Sequence, residues 1–424
     1  MRILISAFGF GPGEGSESGS AWRWAQELSK DNDVVLVTDG HNLRRIGEKV
    51  ERLKHPRLTV VYYRPWWIRR LRVTRWTSQF VFGQWQLGLG HFARRLHREQ
   101  PFDLCHHISY GSFRQASWLG FSGAPFVFGP VGGGEDAPWR FKRSFPRGEW
   151  WRDVARSLVS RIATLNPLWH LALSRASLVF ARTEETRSRL PAKVQARTLL
   201  AQETGAPVGD LPLVSAPREG EPFRLLFAGR LLAWKGPQFV VRALAVLRER
   251  GVDARLTMIG RGPMRPHLQA LAAELQLGDA IEFVEFLPQE ELFGRYAKAH
   301  VFVFPSLHDA GGNVVQEALS AGLPVVCLKL GGPPSFVDER CGVVVPARDA
   351  RDEAALVQRV ADAVQSAIAS PQRWSELHEG ALQRAQEMTW ERQIAAIYAE
   401  IRTHISGQAK SRPATPGVQV EDTK

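Results

Sequence analysis

Arg230 and Lys235 stand five residues apart in Phe227-Ala228-Gly229-Arg230-Leu231-Leu232-Ala233-Trp234-Lys235-Gly236, after an apolar strand-like run and before a helix-like one. Two fixed cations at a helix start suit a diphosphate leaving group, because charge gathers on its bridging oxygen as a glycosidic bond breaks. Arginine adds bidentate contacts and lysine a point charge. Taken alone, the pair also reads as two solvated cations beside a turn. A second constellation is Asp309-Ala310-Gly311-Gly312-Asn313-Val314-Val315-Gln316-Glu317-Ala318, where two carboxylates eight residues apart bracket a Gly-Gly turn. Asp309 falls in the loop. Glu317 falls two turns into a helix, where a carboxylate can take a pair of vicinal hydroxyls. Gly311 and Gly312 leave N–H groups bare for a phosphate. The plain alternative is an N-capping Asp and a surface Glu, but Glu317 lies among Val315, Ala318 and Leu319.

A third loop, Gly9-Phe10-Gly11-Pro12-Gly13-Glu14-Gly15-Ser16-Glu17-Ser18-Gly19, follows the first strand-like run and precedes a helix from about Ser20. Its glycines let backbone N–H groups approach a ligand at a helix terminus. A dinucleotide fold wants G-x-G-x-x-G and an acid after the second strand. Asp39 supplies the acid, but the glycines run G-x-G-x-G in a longer loop, so a tight strand-to-helix turn competes with a ligand site.

The elements that must position these loops alternate. Strand-like runs at 2–7, 33–38, 58–63, 103–108 and 125–128 lie between helix-like stretches, and a second series at 224–228, 254–259, 280–284, 301–304, 325–328 and 342–345 is interleaved with helix-like 238–250 and 264–276. This reads as an α/β protein of two Rossmann-like domains. Domain one is expected over 1–205 and domain two over 206–386, joined by the Pro- and Gly-rich stretch 203–222. A helix at 387–404 is expected to pack back on the first domain, with a polar, disordered tail at 405–424.

Charge and aromatics divide the chain unequally. Residues 1–205 hold 31 Lys+Arg against 17 Asp+Glu, a balance of +14, whereas the remainder holds 24 against 26. Eleven of the fourteen tryptophans lie in that basic half. Such a surface suits an anionic membrane or a nucleic acid. The run Tyr62-Tyr63-Arg64-Pro65-Trp66-Trp67-Ile68-Arg69-Arg70-Leu71-Arg72-Val73-Thr74-Arg75-Trp76 mixes interfacial aromatics with arginines, and 139–151 repeats the mixture. Core-filling tryptophans beside solvated arginines are the alternative. Cys105, Cys327 and Cys341 form no CxxC or metal-ligand spacing and read as reduced thiols. The start runs straight into a strand, no stretch is long and apolar enough to span a bilayer, and a cytoplasmic protein is expected.

Gly229-Arg230 with Lys235, Gly260-Arg261-Gly262-Pro263, and the Asp309…Glu317-Ala-Leu-Ser-Ala-Gly-Leu-Pro-Val-Val run together resemble retaining glycosyltransferases of family 4, whose fold is GT-B: two Rossmann-like domains facing across a cleft. The resemblance covers most of residues 1–404. It implies Arg230 and Lys235 on the donor diphosphate, Glu317 on the nucleotide ribose and Asp309 near the hydroxyls of the transferred sugar, with Gly15, Gly229, Gly260, Gly311, Gly312 and Asn313 shaping the donor site. The family's signature has Glu where Asp309 stands, and often Phe where Gly311 stands. In the first half, Gly15-Ser16-Glu17-Ser18-Gly19 with Trp22 and Trp24 resembles the N-terminal loop and helix of a bacterial branch. The run 102–110 resembles the strand that brings a histidine to the cleft. Ile108 holds the usual histidine position, which leaves His106 and His107, the latter preferred as catalytic. The resemblance places Glu17, Ser18, His106, Gly133 and Glu135 on the acceptor side.

The expectation is sugar transfer, with retention, from a nucleotide diphosphate sugar to a lipid-linked or polysaccharide-type acceptor in cell-surface glycan synthesis. No cofactor, metal or nucleic-acid partner is expected, and the chain is expected to contact an anionic membrane, peripherally, on the inner face of the plasma membrane. The rivals are a nucleotide-sugar epimerase or hydrolase of the same fold, a basic nucleic-acid-binding protein for which no recognised motif is present, and a dinucleotide oxidoreductase.

Overall fold

The computed structural model describes residues 1–13, 16–74 and 76–411. Its strands are β1 (Arg2–Ala7), β2 (Asp33–Thr38), β3 (Leu58–Tyr62), β4 (Leu104–Ser109), β5 (Phe126–Val131), β6 (Leu178–Ala181), β7 (Thr198–Leu200), β8 (Phe223–Ala228), β9 (Ala254–Ile259), β10 (Ile281–Val284), β11 (Val301–Phe304), β12 (Val325–Leu328) and β13 (Gly342–Val345). They form two parallel sheets ordered β3-β2-β1-β4-β5-β6-β7 and β10-β9-β8-β11-β12-β13. Register is tight: Ile3 pairs with Val34 and with Leu104, and Leu225 pairs with Leu256 and with Val301. In each sheet the strand order reverses once, between β1 and β4 and between β8 and β11. Loops leaving the carboxyl ends of two such neighbouring strands splay apart and open a crevice. The Gly229–Lys235 and Ser306–Gly312 stretches are the loops after β8 and β11.

The alternation of side chains along a strand explains how the first domain is filled. Leu4 packs with Phe8, Trp85 and Phe128 on one face of the sheet; Ile3 and Ile5 pack with Trp24 on the other. That second face is covered by the Trp390–Ser411 helix, whose Ile394, Ile397, Tyr398 and Ile401 join its core. The helix continues through residues 405–411, where sequence had placed the start of a disordered tail, and the rest of that tail lies outside the described residues. The chain passes between domains twice at one place: Ala206 N–H donates to Met388 O at 2.8 Å, and Gly205 packs on the Trp390 backbone so closely that no Cβ fits.

Domain membership departs from a cut at residue 205 in one respect. Ala137, Phe141 and Phe145 belong to the core of the second domain, with Phe141 against Phe239 at 6.2 Å between ring centroids. The Arg147–Ala163 helix therefore spans the boundary. The three cysteines are free and buried.

Candidate functional site

A cleft of about 360 Å³ lies between the domains. Gly229, Arg230, Lys235, Asp309, Gly311, Gly312 and Asn313 line its second-domain wall. Gly229 and Gly312 have φ of 148° and 130°, values that disfavour any side chain. Gly312 leads into the Asn313–Ser320 helix, whose first residues, Asn313 and Val314, line the cavity, while the Val315 N–H donates back to Gly312 O at 2.8 Å. Gly260 does not line it. A Cβ there would come within 1.8 Å of Gly229 O, so Gly260 exists to let the neighbouring loop close under Gly229.

Lys235 Nζ lies 2.6 Å from Asp309 Oδ2 and over the rings of Trp234 and Phe304 at 5.0 and 5.1 Å. Burial pushes the Asp309 carboxyl up, but Lys235 and the Gly311 N–H together hold it below the usual range. The acid stays ionised and paired with the lysine. Arg230 is exposed on the same wall. Glu317 is half-buried outside the cavity lining, accepting from the Tyr296 hydroxyl at 3.1 Å. Burial lifts its carboxyl to about 7, and the Tyr296 hydrogen bond opposes that rise.

The first-domain wall holds Glu17, Ser20 and Arg182, with Gln202, Glu203 and Thr204 of the connecting segment. Gly15 lies outside the described residues. The Arg182 guanidinium pairs with Glu203, and its Nε donates to Pro130 O at 3.2 Å. Sequence reasoning missed this cation: β6 is four residues long and was not recognised, although a charged residue leaving a buried strand is a usable signal. It also read 203–222 as a spacer, whereas Thr204 Oγ1 donates to Gln316 at 2.8 Å and fixes the segment against the second domain.

Several acceptor-side expectations do not hold geometrically. Consecutive residues of β4 point to opposite faces of a sheet that is covered on both, so His106 and His107 are both fully buried and neither lines the cleft. His106 bridges Gly129 O at 2.7 Å and the Tyr398 hydroxyl at 3.1 Å. His107 Nδ1 meets Ser6 Oγ at 2.6 Å, with Phe82 and Phe128 stacked nearby. Burial lowers them to about 4 and about 3, which keeps both neutral and ill-matched to a general base at neutral pH. Ser18 does not line the cavity; its hydroxyl packs against Gly9. Glu135 is buried, accepting from Thr183 and Thr186 hydroxyls at 2.5 and 2.6 Å and from Gly133 N–H at 2.9 Å. It organises the glycine-rich loop rather than meeting a ligand. That loop does reach the other domain: a Cβ on Gly132 would lie 2.6 Å from Ala310 Cβ. Asp39 is buried, meets Arg64 and His41 through Oδ1, and does not line the cleft, so the acid expected of a dinucleotide site is not presented to it.

Residues 214–377 match the family model described as glycosyl transferases group 1. This segment is a group 1 glycosyltransferase domain. The chain is 32% identical over 202 residues to D-inositol 3-phosphate glycosyltransferase of Pseudarthrobacter chlorophenolicus, a match covering 46% of each chain. It is 34% identical over 147 residues to the putative colanic acid biosynthesis glycosyltransferase WcaL of Escherichia coli, covering 33% of this chain and 36% of that one. The matched stretch thus spans less than half the length of these relatives. Among solved structures, sucrose-phosphate synthase from Thermosynechococcus elongatus aligns with a TM-score of 0.63 at 19% identity, covering 96% of this chain and 99% of that one. Anabaena HepE in complex with UDP and glucose aligns with a TM-score of 0.57 at 16% identity, covering 96% and 99%. These likenesses carry the fold: the two facing domains are the GT-B architecture.

Proposed function

We propose that this chain is a retaining glycosyltransferase of family 4 that moves a sugar from a nucleoside diphosphate sugar to an acceptor hydroxyl. The observation that carries the reading is one wall of the cleft, where Arg230, Lys235 and the Gly311–Gly312 turn at a helix start converge. There the two cations and the turn's N–H groups hold the diphosphate. Lys235 moves its contact from Asp309 to phosphate as donor binds, which frees Asp309 for the hydroxyls of the transferred sugar. Charge developing on the departing diphosphate is met by groups already in place. Glu317, as a carboxylate, takes the ribose hydroxyls. The acceptor enters along Glu17 and the Gly132–Gly134 loop and attacks from the face the diphosphate leaves, through an oxocarbenium-like state.

The donor to test first is a uridine diphosphate sugar, since HepE was solved with UDP and with glucose. A lipid-linked or polysaccharide-type acceptor in surface glycan synthesis fits the colanic acid relative, and a peripheral position on an anionic membrane fits the exposed Trp66, Trp76, Arg69, Arg70 and Arg72. No helix among the described residues is long and apolar enough to cross a membrane.

A thermal-shift screen of UDP, GDP, ADP and their sugars tests the donor reading, because a ligand that binds only the native state raises apparent stability. One nucleotide series should raise Tm, and its sugar should be transferred with retained anomeric configuration by NMR. Absence of any shift at millimolar ligand would sink the reading. Sugar release to water that no acceptor outcompetes would favour a hydrolase.

A further inference from the structure

A buried contact made by the helix that spans the domain boundary reaches the two residues next to Lys235 and Asp309. His308 Nε2 lies 2.8 Å from Asp153 Oδ1, and Asp153 Oδ2 lies 2.6 Å from Lys142 Nζ. The side chains of all three are at most 5% exposed. The His308 ring stacks on Trp234 at 4.3 Å and 22°, and Leu307 N–H donates to Trp234 O at 2.8 Å. Trp234 immediately precedes Lys235, and His308 immediately precedes Asp309. The loops after β8 and β11 are therefore clamped together beside the Lys235–Asp309 pair, and the clamp is held from outside by Asp153.

Asp153 sits midway along the Arg147–Ala163 helix. Near the start of that helix Trp150 packs on the core of the second domain. Further along, Arg156 donates to Glu135 O at 2.9 Å and Arg114 Nε donates to Ser160 Oγ at 2.9 Å, which tie it to the first domain. Burial alone raises the Asp153 carboxyl, but His308, Lys142 and Arg156 hold it far below its ordinary range, so it is an anion in the protein interior. A buried anion keeps its partners in place because leaving it unpaired is costly.

We propose that Asp153 and His308 are positioning residues, which through the Trp234–His308 stack set Lys235 and Asp309 for donor only when the two domains are docked. Imidazole suits the task because it stacks flat on an indole while setting a ring nitrogen at close range to a carboxylate. The inference rests on the donor reading of Lys235 and Asp309.

The test uses the full chain with His308→Phe, which keeps a ring on Trp234 and leaves the Lys142–Asp153 pair intact, and with Asp153→Asn. The expected result for His308→Phe is a folded protein with nucleoside diphosphate affinity retained, KM for donor little changed and kcat lowered about tenfold to a hundredfold, as small misplacements of reacting groups do. His308→Gln, which presents an N–H to Asp153, should recover part of kcat. Amide exchange in 229–236 should quicken in Asp153→Asn, although residue 153 belongs to a different segment, and the double variant should be no worse than the more impaired single one. Unchanged exchange in 229–236 in both variants, or additive losses in kcat, would overturn the coupling. If the parent turned over no nucleotide sugar, the donor reading would fall while the exchange data still decided for or against the coupling.

Discussion

At the scale of single residues, the cleft's charges are matched: Arg182, Arg230 and Lys235 face Glu17, Glu203 and Asp309. Replacing Arg230 or Lys235 by Ala should lower kcat by on the order of 10²–10³, the usual consequence of deleting a preorganised donor for developing charge. The two differ in stability. Arg230 is exposed and its loss should leave Tm unchanged, whereas Lys235→Ala leaves the Asp309 carboxylate unpaired, so Tm should fall as well. Near-normal kcat in both would reject their diphosphate role. Glu317 gives a pH signature. Its carboxyl is raised to about 7 from an ordinary value of 4.5, so the unfolded chain gives up this proton at lower pH than the native one. Native stability is then unaffected below about 4.5, falls between 4.5 and 7, and carries the full penalty above 7. Glu317→Gln should therefore raise the Tm of the ligand-free protein at pH 8 and not at pH 4, while weakening nucleoside diphosphate binding at pH 8. Calorimetry showing unchanged nucleotide affinity at pH 8 would reject the ribose role.

At the scale of elements, what the sequence made legible follows from which features are local. Apolar runs and loop glycines marked eleven of the thirteen strands and the loops carrying Arg230, Lys235 and Asp309. The two missed strands, β6 and β7, are four and three residues long, too short for a period to register. Facing was the other blind spot. Whether His106 or His107 reaches the cleft depends on what covers each side of β4, and the cover on the His106 side is Tyr398, 292 residues away. Arg182, which leaves β6 as a charged residue, went unread with that short strand, and the fold places it in the cleft lining beside Glu203. If His106 is a strut between β4, β5 and the last helix, Tyr398→Phe should cost about 1 kcal/mol, the net worth of a buried hydrogen bond. Thermal or urea unfolding should show that loss, and kcat should hold at permissive temperature; a collapse of kcat without loss of stability would return His106 to the chemistry.

At the scale of the molecule, the basic, aromatic half resolves into distinct jobs. Trp22, Trp24, Trp85 and Trp169 fill cores, and Trp150 packs across the domain boundary. Arg64 is tied to Asp39 and to the backbone of Ile68, while Arg75 lies outside the described residues. In the 62–76 run Trp66 at 76% and Trp76 at 89% exposure stand outside together with Trp67, with Arg69, Arg70 and Arg72 beside them, and in the 139–151 run Trp139 and Trp151 are exposed as well. An apolar row, Leu158, Val159, Ile162, Leu165 and Leu168, is also exposed. Residues 113–115 draw these segments together: Gln115 bonds Gln79 at 3.3 Å, Arg114 bonds Ser160 at 2.9 Å, and the Trp169 indole donates to Phe113 O at 2.6 Å. The Arg114 guanidinium also donates to Gly133 O, so the same knot borders the loop along which an acceptor is proposed to enter. Tryptophans favour the headgroup level, and each basic residue near an anionic surface contributes about 1 kcal/mol. Three arginines then contribute roughly 3 kcal/mol, about a hundredfold in affinity, which salt screens while leaving the apolar row unaffected. Co-sedimentation should accordingly show binding to anionic vesicles at low salt, weakened at high salt and in the Arg69, Arg70, Arg72→Ser triple variant. Ile162→Asp with Leu165→Asp should abolish whatever persists at high salt. Equal binding by the triple variant and the parent, or none by the parent to anionic vesicles at low salt, would reject docking through this face and make a soluble acceptor the better assignment.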